Sequence, residues 1–205
     1  SVIYILFQTT MLADNVFLHE FKTTNGAVPF DKISDSDFEP AINYGIKMQN
    51  QEIDSIVNQP ADPTFENTIL AFERSGKVLN RVLGVFYPLL SANATDSIIA
   101  ISNKIAPVLS AHSNSIYLNG KLWQRVKFVK EHFDASKHDA EDAMLLNKTY
   151  DAFVRNGAGL NATDGARYKE LCLKLTNLQL KFDENSLKAT NAYELWLDES
   201  DLAGL

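Results

Sequence analysis

The chain has 205 residues and a mass of 22.9 kDa, with 45% hydrophobic and 22% charged residues, proportions typical of a globular protein. Its formal net charge of −7 and its pI near 5.1 argue against a nucleic-acid-binding surface, which requires clustered basic residues. The length permits one good core or one extended helical array.

Residues 1–33 are expected to form an extended amino-terminal segment, because helical periodicity starts only at Ser34. The first ten residues form a mostly apolar run, but a membrane span takes about 20 such residues. The run also lacks the basic residues that begin a signal peptide, although a truncated signal peptide or a misplaced start upstream of Met11 would give the same pattern. We therefore assign no membrane or targeting role to it.

The first predicted helix begins at Ser34 and ends near Asn58. Ser34 can form a capping box with Asp37. An alternative capping box combines Ser36 with Glu39. Two prolines closely follow Asn58 and disfavour helical backbone ahead of them, so the helix should stop there.

Three further helices follow in chain order. The second is predicted to be continuous from its N-cap, Thr64, to Pro88, which should end or kink it. The third is capped by Thr95 and should bend about one turn before Pro107. A fourth can begin at Asn119.

A fifth helix is predicted from His138 to Arg155, with Gly157 as a left-handed stop. Helical spacing places four residues on its buried side: Met144, Leu145, Tyr150 and Phe153.

The last predicted helix has Thr163 as its N-cap and carries two apolar stripes. One stripe alternates by three and four residues, as in a coiled coil, and comprises Tyr168, Leu171, Leu175, Leu178 and Phe182. The second stripe repeats every seven residues, at Leu173, Leu180 and Leu187. Because two faces should be buried, we expect this helix to lie between others. Cys172, within this pattern, is expected to be a buried, unreactive thiol.

Residues 191–205 change character, since Ala192 to Leu197 are aromatic and β-prone. A lone strand has no partner within the chain, so it would be an exposed edge. Together these patterns predict an all-α fold: an array of about six long antiparallel helices in residues 34–190, followed by a short β-prone tail.

No catalytic, cofactor-binding or metal-binding residue is predicted in this chain. The four histidines are His19, His112, His132 and His138, and no two of them are four residues apart. A structural zinc site needs four ligands, so His112 is expected to be a hydrogen-bonded structural residue. The other two near the fifth helix, His132 and His138, should be solvated. The single cysteine excludes an internal disulfide and fits a cytoplasmic protein, with the periplasm as the alternative.

Charged side chains on the second and last predicted helices are interpreted as solvated surface rather than as acid–base catalysts. Only pairing between residues four apart, as for Glu184 and Lys188, is visible in the sequence. The residues concerned are Glu66, Glu73, Arg74, Asp183, Glu184 and Lys188.

Four sequence blocks occur in the order found in one peptidase family: Val28–Ile33, Pro63–Leu83, Tyr150–Ala158 and Asn191–Leu195. From about Asn15 onward, the chain resembles the amino-terminal region of the zinc oligopeptidases. That family includes bacterial peptidyl-dipeptidase Dcp, oligopeptidase A and thimet oligopeptidase. The resemblance is nearest to the peptidyl-dipeptidase branch.

This resemblance implies a neurolysin-like amino-terminal domain that restricts access to a zinc site in a carboxy-terminal catalytic domain. It also implies that residues 191–205 start the link to that domain. The zinc-binding H-E-x-x-H motif of such enzymes is absent from these residues, so the chain alone should be inactive. The implied partners are the catalytic domain of the same polypeptide and short peptide substrates, with no nucleic acid or membrane. The alternative is a stand-alone helical protein-interaction module.

Overall fold

The computed structural model describes residues 15–198, and within them every regular element is a helix. The predicted all-α class is therefore confirmed. The six long helices are α1 (Asp35–Asn58), α2 (Lys77–Ala92), α3 (Asp96–Tyr117), α4 (Gly120–Glu131), α5 (Ala140–Arg155) and α6 (Ala162–Asn191).

The segment before α1 is anchored to the helices rather than loosely extended. It contains three short 3-10 turns, at Val16–Leu18, Thr24–Gly26 and Phe30–Lys32. Phe17 is fully buried and its ring centroid lies 5.1 Å from that of Phe38 in α1. The Asn15 side chain donates to the Asp37 carbonyl (2.9 Å), and Arg81 of α2 donates to the Phe17 carbonyl (2.9 Å).

Most helix starts lie where capping residues predict them. Ser34 and Asp37 form the expected capping box at α1. Three side chains each accept a hydrogen bond from the backbone N–H three residues on, which satisfies a donor that the helix leaves unpaired: Thr64, Thr95 and Asn119.

Two helix starts were predicted wrongly. Helix α6 starts two residues early, because the Asn161 side chain, and not that of Thr163, accepts from the Asp164 N–H (2.9 Å). Helix α5 starts at Ala140 and not at His138, because the Asp139 side chain accepts from the Asp142 N–H (2.9 Å). Helix α2 runs through Pro88 to Ala92, so this proline does not end the helix, and the alternative, a kink, stays a prediction.

The predicted continuous second helix is broken. Its first part is a π-helical turn, Phe65–Leu70, followed by one α-turn, Ala71–Glu73. The break is at Gly76, whose φ of 71° lies in the left-handed region that favours glycine. The Gly76 N–H donates to a carboxylate oxygen of Glu52 in α1 (2.7 Å), so the break is fixed by a tertiary contact.

Two hydrophobic clusters form the interior, and α1 and α3 contribute to both. Phe38, Ile42 and Ile98 belong to the first cluster together with most buried residues of α2. The second cluster joins the carboxyl-terminal halves of α1 and α3 to α4, α5 and the π-helical turn. In α5 the buried residues are Leu146, Thr149 and Phe153, whereas Met144, predicted to be buried, is exposed. Helix α6 contributes no buried residue to either cluster.

Helices α1 and α2 are antiparallel and approach each other closely. Phe38 near the start of α1 packs on Phe86 near the end of α2, with ring centroids 5.2 Å apart. Further along, Gly45 faces Leu79, and a Cβ added to Gly45 would lie 2.8 Å from the Leu79 Cα. The glycine is required here because no side chain fits between the two backbones.

A polar network lies beside this contact and links α1 to α3. The Gln49 amide donates to the Ser75 hydroxyl (3.3 Å), which turns its carbonyl oxygen toward His112. His112 Nε2 lies 2.7 Å from that oxygen and therefore carries the proton. Its Nδ1 is buried and has no hydrogen-bond partner among residues 15–198. Burial lowers the pKa of His112, as expected for a structural, neutral histidine.

The described part of the tail, residues 193–198, contains no strand. Its β-prone side chains have no neighbouring strand with which to pair, and Tyr193, Leu195 and Trp196 are exposed. The rest of the predicted tail lies outside the described residues. The division at residues 33 and 190 stays a prediction.

We predict opposite effects for two glycine-to-alanine substitutions. Gly45→Ala should destabilise the fold by about 1–3 kcal/mol, because the new Cβ would clash with the α2 backbone. Gly84→Ala, on the exposed side of α2 with no atom near the new Cβ, should stabilise it by about 0.5–1 kcal/mol. Urea unfolding of both variants checks this, and equal effects would contradict the close approach at Gly45.

The neutral state of His112 predicts a pH effect on stability. Its folded-state pKa lies below the ordinary value of 6.5, so the unfolded chain takes up a proton that the folded chain excludes. The unfolding free energy should therefore decrease as the pH falls below 6.5 toward the folded-state pKa.

His112→Gln should show a smaller loss of stability than the wild type between about pH 7.5 and about pH 5.5. Subtracting the loss of stability of His112→Gln from that of the wild type cancels the contributions of the other titrating groups. Equal losses of stability in the two proteins would show that the pKa of His112 is the same in the folded and the unfolded chain.

Candidate functional site

The histidines do not form a metal site. Among residues 15–198, no three His, Cys, Asp or Glu side chains are grouped closely enough to hold a metal ion. His19 and His132 are exposed, and His132 stacks on Phe128 with ring centroids 4.1 Å apart. His112 is committed to Gln49, as described above. The described residues therefore do not fit a zinc ion.

His138 is not solvated, contrary to the prediction. Its ring lies near those of Phe65 and Phe133, with centroids 4.9 and 4.6 Å away. Its Nδ1 pairs with Asp142 Oδ2 at 2.9 Å. The contact of His138 with Phe65 could not be predicted from the sequence, because the two residues are distant along the chain. The pair fixes the start of α5 against the π-helical turn, which is a structural role.

Helix α6 exposes the apolar stripe that the sequence predicted to be buried. Leu175 and Leu178 are each 57% exposed, Phe182 is 70% exposed, and Leu171 is also exposed. The prediction of two covered faces was therefore wrong. The reason is that, among the long helices, only α3 makes extensive contacts with α6.

The face of α6 that approaches α3 includes only Tyr168 of that predicted stripe. Tyr168, Cys172 and Thr176, four residues apart, are half-buried there. Cys172 is therefore not the fully buried thiol that was predicted. Burial raises the pKa of the Tyr168 phenol, and the neighbouring Cys172 adds to this shift. Of the second predicted stripe, Leu180 is half-buried, while Leu173 and Leu187 are exposed.

A wide groove lies between α6, α3 and the carboxyl-terminal end of α2. It has a volume of about 1920 Å³ and is open to solvent. Its walls combine apolar side chains, including Tyr87, Leu109 and Leu175, with small polar ones such as Ser102 and Ser113. Partial burial raises the pKa of Tyr87, so its hydroxyl stays protonated at neutral pH. The groove therefore offers apolar contact and hydrogen-bonding groups, and Lys181, Asp183 and Glu184 add charges to its wall.

A column of basic residues borders the exposed stripe on α6. Its members are seven residues apart and so lie on nearly the same side of the helix: Arg167, Lys174, Lys181 and Lys188. The two outer members are paired, Arg167 with Glu170 (2.7 Å) and Lys188 with Glu184 (2.5 Å). The Lys188 hydrogen bond lowers the pKa of Glu184, and it is the pairing that the sequence predicted. Lys174 and Lys181 make no ion pair with any described residue.

Glu66 lies in the first turn of the π-helical segment, where backbone and Thr64 hydrogen bonds lower its pKa. Such stabilisation of the carboxylate is typical of a helix N-terminus. In residues 15–198, no helix has the length and hydropathy needed to cross a bilayer.

Comparison with known proteins identifies peptidases as relatives. No profile of a known protein family matches the chain. It is 35% identical over 195 residues to dipeptidyl carboxypeptidase of Salmonella typhimurium and 33% identical over 198 residues to that of Escherichia coli. These alignments cover 95% and 96% of the chain. Oligopeptidase A of Haemophilus influenzae is 25% identical over 88% of the chain.

The chain spans only 29% of the length of the two dipeptidyl carboxypeptidases and 26% of this oligopeptidase A. Among these relatives, identity is higher to the dipeptidyl carboxypeptidases than to oligopeptidase A. The chain is therefore a homologue of part of the bacterial dipeptidyl carboxypeptidases, which confirms the resemblance predicted from its sequence blocks.

Proposed function

We propose that this chain is the helical, substrate-restricting part of a longer zinc metallopeptidase that hydrolyses short peptides as a peptidyl-dipeptidase or oligopeptidase. The observation that carries the proposal is the match over 95% of the chain to only 29% of a dipeptidyl carboxypeptidase. A chain that aligns along almost its whole length with less than a third of an enzyme corresponds to one part of that enzyme.

The chemistry of the chain supports a non-catalytic part. The sequence contains no H-E-x-x-H motif, which places two histidines one helical turn apart for zinc and a glutamate beside them for water activation. In this proposal zinc and those groups belong to the rest of the longer protein. The described helices supply rigidity instead, since two clusters of buried side chains fix α1–α5.

Rigid helices can select substrates by size. A channel wall that does not yield admits short, unfolded peptides and excludes folded proteins, and this requires shape rather than catalytic side chains. We propose the cytoplasm as the compartment, with the periplasm as the alternative.

The exposed stripe on α6 supports a contact with the rest of the longer protein. Contiguous apolar surface of this kind is typical of interfaces. A stand-alone interaction module would also use this stripe. The alignment with a catalytic protein along nearly the whole chain favours the peptidase.

An activity comparison tests the proposal. The purified 205-residue chain with added zinc should not hydrolyse a quenched fluorescent peptide above the rate in buffer. The product of the full reading frame that contains these residues should hydrolyse it, and a chelator should abolish that activity. Mass spectrometry of the products separates release of dipeptides from internal cleavage.

The same peptide sequence placed within a folded protein is the control for size selection, and the longer product should leave it intact. Hydrolysis by the isolated chain at a rate near that of the longer product would contradict the division of labour. A longer product that binds helical partners but cleaves no peptide would favour the interaction module.

A further inference from the structure

We infer that the element covering α6 is an amphipathic helix whose apolar stripe is flanked by acidic residues. The inference rests on the proposed function, since we assign this helix to the rest of the longer peptidase. It adds the chemical character of the contact, which the pattern of exposed side chains on α6 determines.

The apolar part of the surface has the spacing that another helix requires. Leu171, Leu175, Leu178 and Phe182 alternate by four, three and four residues, which is the arrangement that a facing helix fills by knobs-into-holes packing. All four side chains are exposed. A β-strand would match every second residue and could not follow this stripe.

The charged part of the surface selects the partner's sign. Lys174 is three residues from Leu171 and four from Leu178, and Lys181 is three from Leu178, so both lysines border the stripe. Neither makes an ion pair with a described residue, although the charge of Lys181 adds to the lowering of the Glu184 pKa. Carboxylates on the edge of a partner helix would complete both pairs.

The charge of α6 also differs from that of its surroundings. It carries five basic and four acidic side chains, a net charge of +1. Since the whole chain carries −7, the residues outside α6 carry −8, of which −5 belongs to described residues. An acidic partner is therefore attracted to α6 itself and repelled by the rest of the surface, which directs it to one place.

A second copy of the chain fits this surface less well. Two α6 helices packed antiparallel would place one lysine column against the other, and like charges at that distance repel. Packed parallel, the column would face the groove side of the other copy, where the charged lining residues are Lys181, Asp183 and Glu184. That side offers a mixture of charges and not the row of carboxylates that an acidic helix supplies.

The length of the basic column defines the partner helix. Arg167 to Lys188 spans about 30 Å at 1.5 Å per residue, so a helix of about 20 residues covers it. The test uses two synthetic peptides of that length with the same leucine stripe. One has glutamate beside the stripe and the other has lysine at the same positions.

The 205-residue chain should bind the glutamate peptide in a fluorescence anisotropy titration, and the lysine peptide at least about tenfold more weakly. The Lys174→Glu/Lys181→Glu variant should lose about tenfold in affinity for the glutamate peptide. The control variant, Lys47→Glu/Lys148→Glu, changes the net charge equally at exposed sites outside α6 and should bind as the wild type does.

Leu175→Asp should abolish binding, while Met144→Asp, a change at a similarly exposed residue of α5, should not. Circular dichroism confirms that both variants keep their helices. The longer product should bind the glutamate peptide at least about tenfold more weakly than the chain does, because its own helix already occupies α6.

If the chain binds both peptides with equal affinity, or binds neither peptide, the inferred acidic flank is overturned. The peptidase proposal is not affected by either result. If the chain and the longer product bind the glutamate peptide equally well, the covering helix does not belong to the same polypeptide. A dimer of the chain in sedimentation experiments that Leu175→Asp dissociates would show that a second copy is the occupant.

Discussion

The close antiparallel contact between α1 and α2 is the constraint on which the remaining helices depend. Gly45 lets the two backbones meet at Leu79, and that approach sets the position of Gly76, whose N–H reaches Glu52 of α1. Because α1 then extends through both hydrophobic clusters, the helices packed on either half are placed relative to each other. The rigidity that the proposed size-selective wall requires follows from this shared helix.

Helix α6 stands apart from that arrangement. It is the longest helix, at 30 residues, yet it contributes no buried side chain and is held mainly by α3. Exposed leucines on a long helix are costly in water, since each fully buried leucine is worth about 1.5–3 kcal/mol. The proposed contact with the rest of a longer protein removes this surface from water. Lys174 and Lys181, which make no ion pair with a described residue, give that contact a chemical direction.

The features that depend on neighbouring residues could be predicted from the sequence. Thr64, Thr95 and Asn119 were identified as caps because capping is decided within three residues. The break at Gly76 was missed, since its carboxylate partner, Glu52, is 24 residues away. The stripe on α6 was located correctly but its burial was not, because spacing shows which residues share a face and not whether anything covers it. His138 was misjudged for the same reason, as Phe65 approaches it only in the fold.

The central claim is that α6 is completed by the rest of a longer peptidase. Amide hydrogen exchange of α6, measured in the 205-residue chain and in the longer product, tests it most directly. Slower exchange in α6 within the longer product, with α1 and α2 unchanged, is the predicted result. Equal exchange of α6 in both proteins would contradict the claim, because it would show that the exposed leucines remain in water in the complete molecule.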